Sequence, residues 1–82
     1  MLSWPMQNPF ELIVTYADYR QGFVAEVWLN DMHIAEVYED AKQGKRIELY
    51  FLKERTLSLP LEAFQETLQK ASNELWPVAE EI

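Results

Sequence analysis

The chain has no cysteine, only two glycines and a single histidine among its 82 residues. Without cysteine it forms neither a disulfide framework nor a thiolate zinc site. One histidine excludes a multi-histidine metal site, and two glycines leave neither a GxGxxG nor a P-loop. These absences predict a protein that is not an enzyme and that uses no cofactor and no metal ion.

Long apolar runs are missing as well. No stretch approaches the roughly 20 apolar residues that span a bilayer. The N-terminal sequence Met1-Leu-Ser-Trp-Pro has no basic region followed by an apolar one, so it does not resemble a signal peptide. We therefore expect a cytoplasmic protein without a membrane segment, and the lack of cysteine agrees with a reducing compartment.

Basic residues are scarce, with 7 lysines and arginines against 14 acids and a net charge of −7. Most of them fall in one stretch, as Lys42, Lys45, Arg46, Lys53 and Arg55. Proteins that bind nucleic acid normally carry a basic surface, because phosphate contacts supply most of their affinity. The overall charge instead favours either an ordinary solubilising surface or an acidic surface that meets a basic partner protein.

What the chain does contain is a regular alternation of apolar and polar residues. It predicts a strand over Phe10–Tyr16, a hairpin over Phe23–Tyr38 that turns at Asn30-Asp31, and a fourth strand over Arg46–Leu52. Asn and Asp tolerate the positive φ that a tight hairpin turn needs. Gly22 is expected to take a special backbone angle before the hairpin.

Beyond Pro60 the period changes to that of a helix. Leu61, Phe64, Leu68, Ala71 and Leu75 fall at spacings of three and four, and Pro77 ends the helix near Trp76. The expected fold is α+β, a four-stranded antiparallel β-meander with one C-terminal α-helix packed across one face. The expected organisation is an irregular arm over 1–9, one domain over 10–76 and a short tail over 77–82.

The strands assign a core that packs against Leu61, Phe64, Leu68 and Leu75. It comprises Phe10, Leu12, Val14, Phe23, Val27, Leu29, Ile34, Ile47, Leu49 and Phe51. The third strand has two possible registers. A two-residue turn places Glu36 with Ile34 and Tyr38 on the core side, whereas a one-residue bulge reverses the strand and turns Ala35 and Val37 inward.

The outward residues of the sheet are the candidate site. Trp28 and His33 form a cross-strand pair beside the turn, with Tyr50 one strand away and Glu26 and Glu48 on the same face. Tryptophan and tyrosine are typical of protein interfaces, and they also stack on bases. A third alternative is that the N-terminal arm covers these residues, through Trp4 or Met6.

The order of four strands and one helix, entered through Thr56-Leu-Ser-Leu-Pro-Leu-Glu-Ala-Phe64, resembles the Pur-alpha-like, Whirly and coactivator-type single-stranded DNA-binding folds. The resemblance covers about residues 10–76. It implies a curved sheet that binds single strands through aromatic and basic residues, often in a dimer or an internal repeat. Residues for such binding would be Trp28 and Tyr50 for stacking, with Lys45, Arg46, Lys53 and Arg55 for phosphate.

Glu26 and Glu48 on the same face shift the expectation from nucleic acid to protein. The sequence favours a non-catalytic binding module of inhibitor, immunity or adaptor type. It would bind a partner protein, or a second copy, through its open sheet face or an edge strand. Partner-binding residues are then Trp28, His33, Tyr50, Glu26 and Glu48. The alternatives are single-stranded nucleic-acid binding and an enzyme subunit with a site shared between chains.

Overall fold

The computed structural model describes residues 8–50 and 56–78. Four antiparallel strands lie in chain order across one sheet, β1 (Phe10–Ala17), β2 (Gly22–Leu29), β3 (Met32–Asp40) and β4 (Gly44–Leu49). One helix, α1 (Leu61–Leu75), packs on the sheet. The predicted α+β meander with a C-terminal helix is confirmed. Predictions for residues 1–7, 51–55 and 79–82, including Trp4, Phe51, Lys53 and Arg55, lie outside the described residues.

The β2–β3 hairpin turns where the sequence predicts it. Asn30 and Asp31 have φ of 50° and 66°, and Leu29 pairs directly with Met32 across the turn. A turn with two positive φ values has the twist of the strands that it joins, which is why this dipeptide closes the hairpin tightly.

A β-bulge sets the register of β3. Val27 pairs with Ala35 but Trp28 pairs with His33, so Ile34 is the additional residue. From Ala35 onward the strand turns Ala35 and Val37 toward the helix and Glu36 away from it. Ile34 itself stays in the core, packed with Val27 and Ala35. The bulge thus decides between the two registers that the sequence leaves open.

Small side chains fill the contact between helix and sheet. Ala25, Ala35 and Ala71 are all fully buried, and partly buried leucines and aromatics surround them. The centre of the contact is thus formed by alanines, and the larger side chains pack around them. Around it pack Phe10, Leu12, Leu29, Leu57, Leu59, Phe64, Leu68, Leu75 and Trp76.

Several residues expected in the core are exposed instead. The helix lies over β1, β2 and β3 and makes no close approach to β4. It therefore leaves the flanks of its own sheet face uncovered, and Leu61 at its first turn also faces outward. The exposed residues are Val14, Phe23, Ile47, Leu49 and Leu61. In the described part of the chain, the helix is not long and apolar enough to cross a membrane.

Candidate binding site on the sheet face opposite the helix

Three glutamates lie side by side on the sheet face that points away from the helix. The register pairs Glu26 of β2 with Glu36 of β3, and Glu36 with Glu48 of β4. We call these three residues the glutamate row. Like charges directly opposite each other destabilise a sheet. The row therefore depends on donors and cations from elsewhere in the fold.

The loop between β1 and β2 supplies them. The Arg20 Nε donates to Glu36 at 2.8 Å and its Nη2 donates to Glu48 at 2.7 Å. The Tyr19 hydroxyl donates to Glu36 at 2.5 Å, and the Arg20 guanidinium lies 3.5 Å from the centre of the Tyr38 ring. These contacts bury Glu36 completely, so this face is not the flat, open surface that the sequence suggests.

Contacts around the row shift the pKa values of Arg20, Glu48 and Tyr50. Burial lowers the pKa of Arg20, but hydrogen bonds to Glu36 and Glu48 raise it by more, so the net pKa rises. Hydrogen bonds from Tyr50 and then from Arg20 lower the pKa of Glu48. Burial first, and then the hydrogen bond to Glu48, raise the pKa of Tyr50. Arg20 stays cationic and Glu48 anionic over the physiological range.

An aromatic cluster, formed by Trp28, His33 and Tyr50, lies beside the glutamate row. Trp28 and His33 stack with ring centres 4.9 Å apart and planes 9° apart, and Tyr50 lies 4.9 Å from His33 at 60°. The Trp28 indole donates to Glu26 at 3.0 Å and the Tyr50 hydroxyl donates to Glu48 at 2.7 Å. The structure thus brings together all five partner-binding candidates from the sequence.

Four further members of this surface are not among the sequence candidates. Tyr19, Arg20 and Tyr38 contact the row or its arginine, and Glu36 is its centre. In the loop that carries Tyr19 and Arg20, Gln21 adopts a positive φ of 59°. The expectation that Gly22 takes this angle is wrong. Of the two registers that the sequence allows for the third strand, only the one with a bulge places Glu36 between Glu26 and Glu48.

Of the two described residues proposed for phosphate binding, Lys45 and Arg46, the structure places one on each face of the sheet. Lys45 pairs with Glu39 on the helix side of the sheet, and its Nζ lies 4.7 Å from the centre of the Trp76 ring. Arg46 pairs with Tyr38, at the edge of the face that carries Trp28. The structure therefore separates Lys45 from Trp28 and Tyr50, the two proposed stacking residues.

A separate open groove of about 580 Å³ lies at the end of the sheet, lined in part by Phe23, Glu39, Asp40 and Trp76. Its two carboxylates are engaged. Glu39 accepts a hydrogen bond from the Trp76 indole, and Asp40 accepts two from backbone N–H groups of the following turn. Those backbone bonds lower the pKa of Asp40. Both carboxylates of the groove are therefore occupied by hydrogen bonds from within the chain.

Comparison of the chain with protein-family models, with curated proteins and with solved structures finds no match.

Proposed function

We propose that this chain is a non-catalytic binding module. It recognises a basic protein partner through the glutamate row and the aromatic cluster, and it acts in the cytoplasm. The observation that carries the proposal is the charge of the glutamate row. Three carboxylates meet one guanidinium, which leaves an excess of two negative charges around Trp28, His33 and Tyr50.

An aromatic ring next to a carboxylate is a suitable receptor for a lysine or arginine side chain. The ring attracts the cation through its quadrupole, and the carboxylate adds a charge-assisted hydrogen bond. Trp28 and Glu26 provide this combination, and both are half-buried. Tyr50 and Glu48 repeat it at the exposed side of the cluster.

The surface is also held in place before any partner arrives. Stacking fixes the Trp28 and His33 rings, and hydrogen bonds fix both glutamates that flank them. A preorganised surface loses less conformational entropy on binding than a mobile one. This favours recognition of a partner, which gains affinity from such preorganisation.

The test uses a fluorescently labelled oligo-lysine peptide as the probe, with anisotropy as the readout. Trp28→Ala should weaken binding about fivefold, because a cation–π contact at a partly exposed site contributes roughly 1 kcal/mol. Tyr16→Ala, an exposed aromatic on the other sheet face, is the matched control and should leave the affinity unchanged. Circular dichroism should show Trp28→Ala to be folded; an unfolded variant would place Trp28 in the core and contradict the proposal.

Two further probes test the alternatives. A single-stranded oligonucleotide that binds more tightly than oligo-lysine, with steep salt dependence, would replace the proposal with nucleic-acid binding. A stable dimer in light scattering, lost in Trp28→Ala, would replace the basic partner with a second copy of the chain. The proposal expects neither result.

A further inference from the structure

One nitrogen on the proposed binding face has no partner. The His33 Nε2 atom is buried and makes no hydrogen bond within the described residues. Ligand atoms of Glu26, His33 and Glu36 all lie within 4.8 Å of one another. A buried polar atom without a partner costs free energy comparable to a lost hydrogen bond, and here it belongs to a histidine that lies beside two carboxylates.

We propose that Glu26, His33 and Glu36 form a binding site for a divalent transition-metal ion, with zinc as the reference ion. The inference concerns the isolated chain, and an ion bound here would compete with a basic partner for Glu26. One imidazole nitrogen with two carboxylate oxygens suits zinc and its neighbours better than calcium or magnesium, which prefer oxygen ligands throughout.

Each of the three donors has capacity for an ion. Glu26 Oε1 accepts the Trp28 indole N–H, which orients the carboxylate and leaves Oε2 without a hydrogen bond among the described residues. Tyr19 has a single hydroxyl proton, so it serves one Glu36 oxygen at a time although both lie within reach. The His33 ring is fixed by its stack on Trp28.

The spacing fits with small side-chain movements. At Zn–O and Zn–N distances of about 2.0–2.2 Å, two donors on one tetrahedral ion are roughly 3–4 Å apart. The ligand atoms, at most 4.8 Å apart, therefore reach this spacing if each side chain moves by under about 1 Å. Three protein ligands leave a fourth position for water or for a donor atom from a partner.

The balance of charges around the site also favours a divalent ion. The glutamate row has three carboxylates, and Arg20 bonds to Glu36 and Glu48 but not to Glu26. A divalent ion neutralises the excess of two negative charges and gives His33 Nε2 its partner. Protonation of His33 would supply only one positive charge.

The experiment titrates zinc into tag-free, metal-stripped protein by calorimetry. The ¹⁵N signals of the imidazole are followed by NMR, and they are unambiguous because the chain has one histidine. We expect one zinc ion per chain and a shift of the Nε2 signal. Glu26→Gln and His33→Gln should each weaken zinc binding at least about tenfold, since even outer-shell changes at metal sites reach that size. Glu66→Gln, an exposed helix residue with the same charge change, is the control and should bind as the wild type does.

An Nε2 signal that responds to pH but not to zinc would overturn the metal site and assign the cluster to a protonated histidine. Unchanged zinc affinity in Glu26→Gln would overturn it as well, and this variant decides the question if His33→Gln fails to fold. Calcium or magnesium binding as tightly as zinc would contradict the role of the imidazole nitrogen.

Discussion

Each side of the sheet carries a tryptophan whose indole N–H donates to a glutamate, and the two pairs differ in the cation beside them. On the helix side, Trp76 bonds to Glu39 at 2.9 Å and Lys45 lies over the Trp76 ring. On the opposite side, Trp28 bonds to Glu26 at 3.0 Å, and no lysine or arginine of the described residues forms an ion pair with Glu26 or a cation–π contact with Trp28.

The difference shows how the same chemical unit serves two purposes. The pair on the helix side is complete within the chain, so it fastens the end of the helix to the β3–β4 end of the sheet. The pair on the opposite side has an aromatic face and a carboxylate but no internal cation. It is therefore the one that we expect to accept a cation from outside.

The two faces also differ in the forces that order them. Apolar burial around Ala25, Ala35 and Ala71 orders the helix side, and such burial has no preferred direction. Directional hydrogen bonds around Glu36 order the other side. We expect mutations on the helix side to act through packing and those on the opposite side through unpaired charge.

Arg20→Ala should have the largest effect on stability. It leaves Glu36 buried without its cation, and breaking a buried ion pair in this way costs about 3–5 kcal/mol. Lys45→Ala removes the cation of the other tryptophan pair and is the matched control. Because Lys45 is exposed, its loss should cost no more than about 1 kcal/mol in urea unfolding. Equal losses would remove the distinction between the two faces.

Ile34→Ala should follow, with a loss of about 3 kcal/mol from the cavity that it leaves in the core. Ile13→Ala on the opposite face serves as the control, because Ile13 is 38% exposed and its loss should be much smaller. Chemical denaturation of both variants measures the difference. A small effect at Ile34 would show that the bulge residue does not belong to the core.

Tyr19→Phe should cost about 1 kcal/mol, since it removes one hydrogen bond to Glu36, donated by a side chain that is itself largely exposed. Tyr16→Phe removes an exposed hydroxyl on the other face and should be neutral in the same unfolding experiment. If both variants match the wild type, Tyr19 does not help to hold Glu36.

Acid should weaken the fold in part through Glu48. Its pKa is lowered in the native state, so the unfolded chain takes up the proton first as the pH falls. The resulting stabilisation is complete above the ordinary glutamate pKa of 4.5 and is lost as the pH drops through the lowered native value. The melting temperature should therefore fall less steeply with decreasing pH in Glu48→Gln than in the wild type. The same pH dependence in both proteins would show that the hydrogen bonds from Tyr50 and Arg20 to Glu48 do not contribute to stability.

Much of the fold follows from the sequence because alternation is a local signal. The strands, the Asn30-Asp31 turn and the helix end near Trp76 are all predicted within a few residues. Exposure of Phe23 and Ile47 is not predictable in this way, because it depends on where the helix crosses the sheet.

The site is predictable only in part. Trp28, His33 and Tyr50 emerge from the alternation once the hairpin is known. The position of Glu36 on this face depends on a bulge that no residue type in β3 predicts. Arg20 bonds to Glu36 from a loop in which Gln21, and not the neighbouring glycine, has a positive φ. Interactions between distant parts of the chain determine the positions of Glu36 and Arg20.

The most direct test of the account compares the two tryptophans in one measurement. A ¹H–¹⁵N NMR spectrum resolves the indole N–H groups, and Trp28→Phe and Trp76→Phe assign the two described signals. On addition of oligo-lysine, we predict that the Trp28 signal shifts and that the Trp76 signal, whose pair already has Lys45, stays in place. A shift of Trp76 with Trp28 unchanged would contradict the claim that the face opposite the helix is the binding surface.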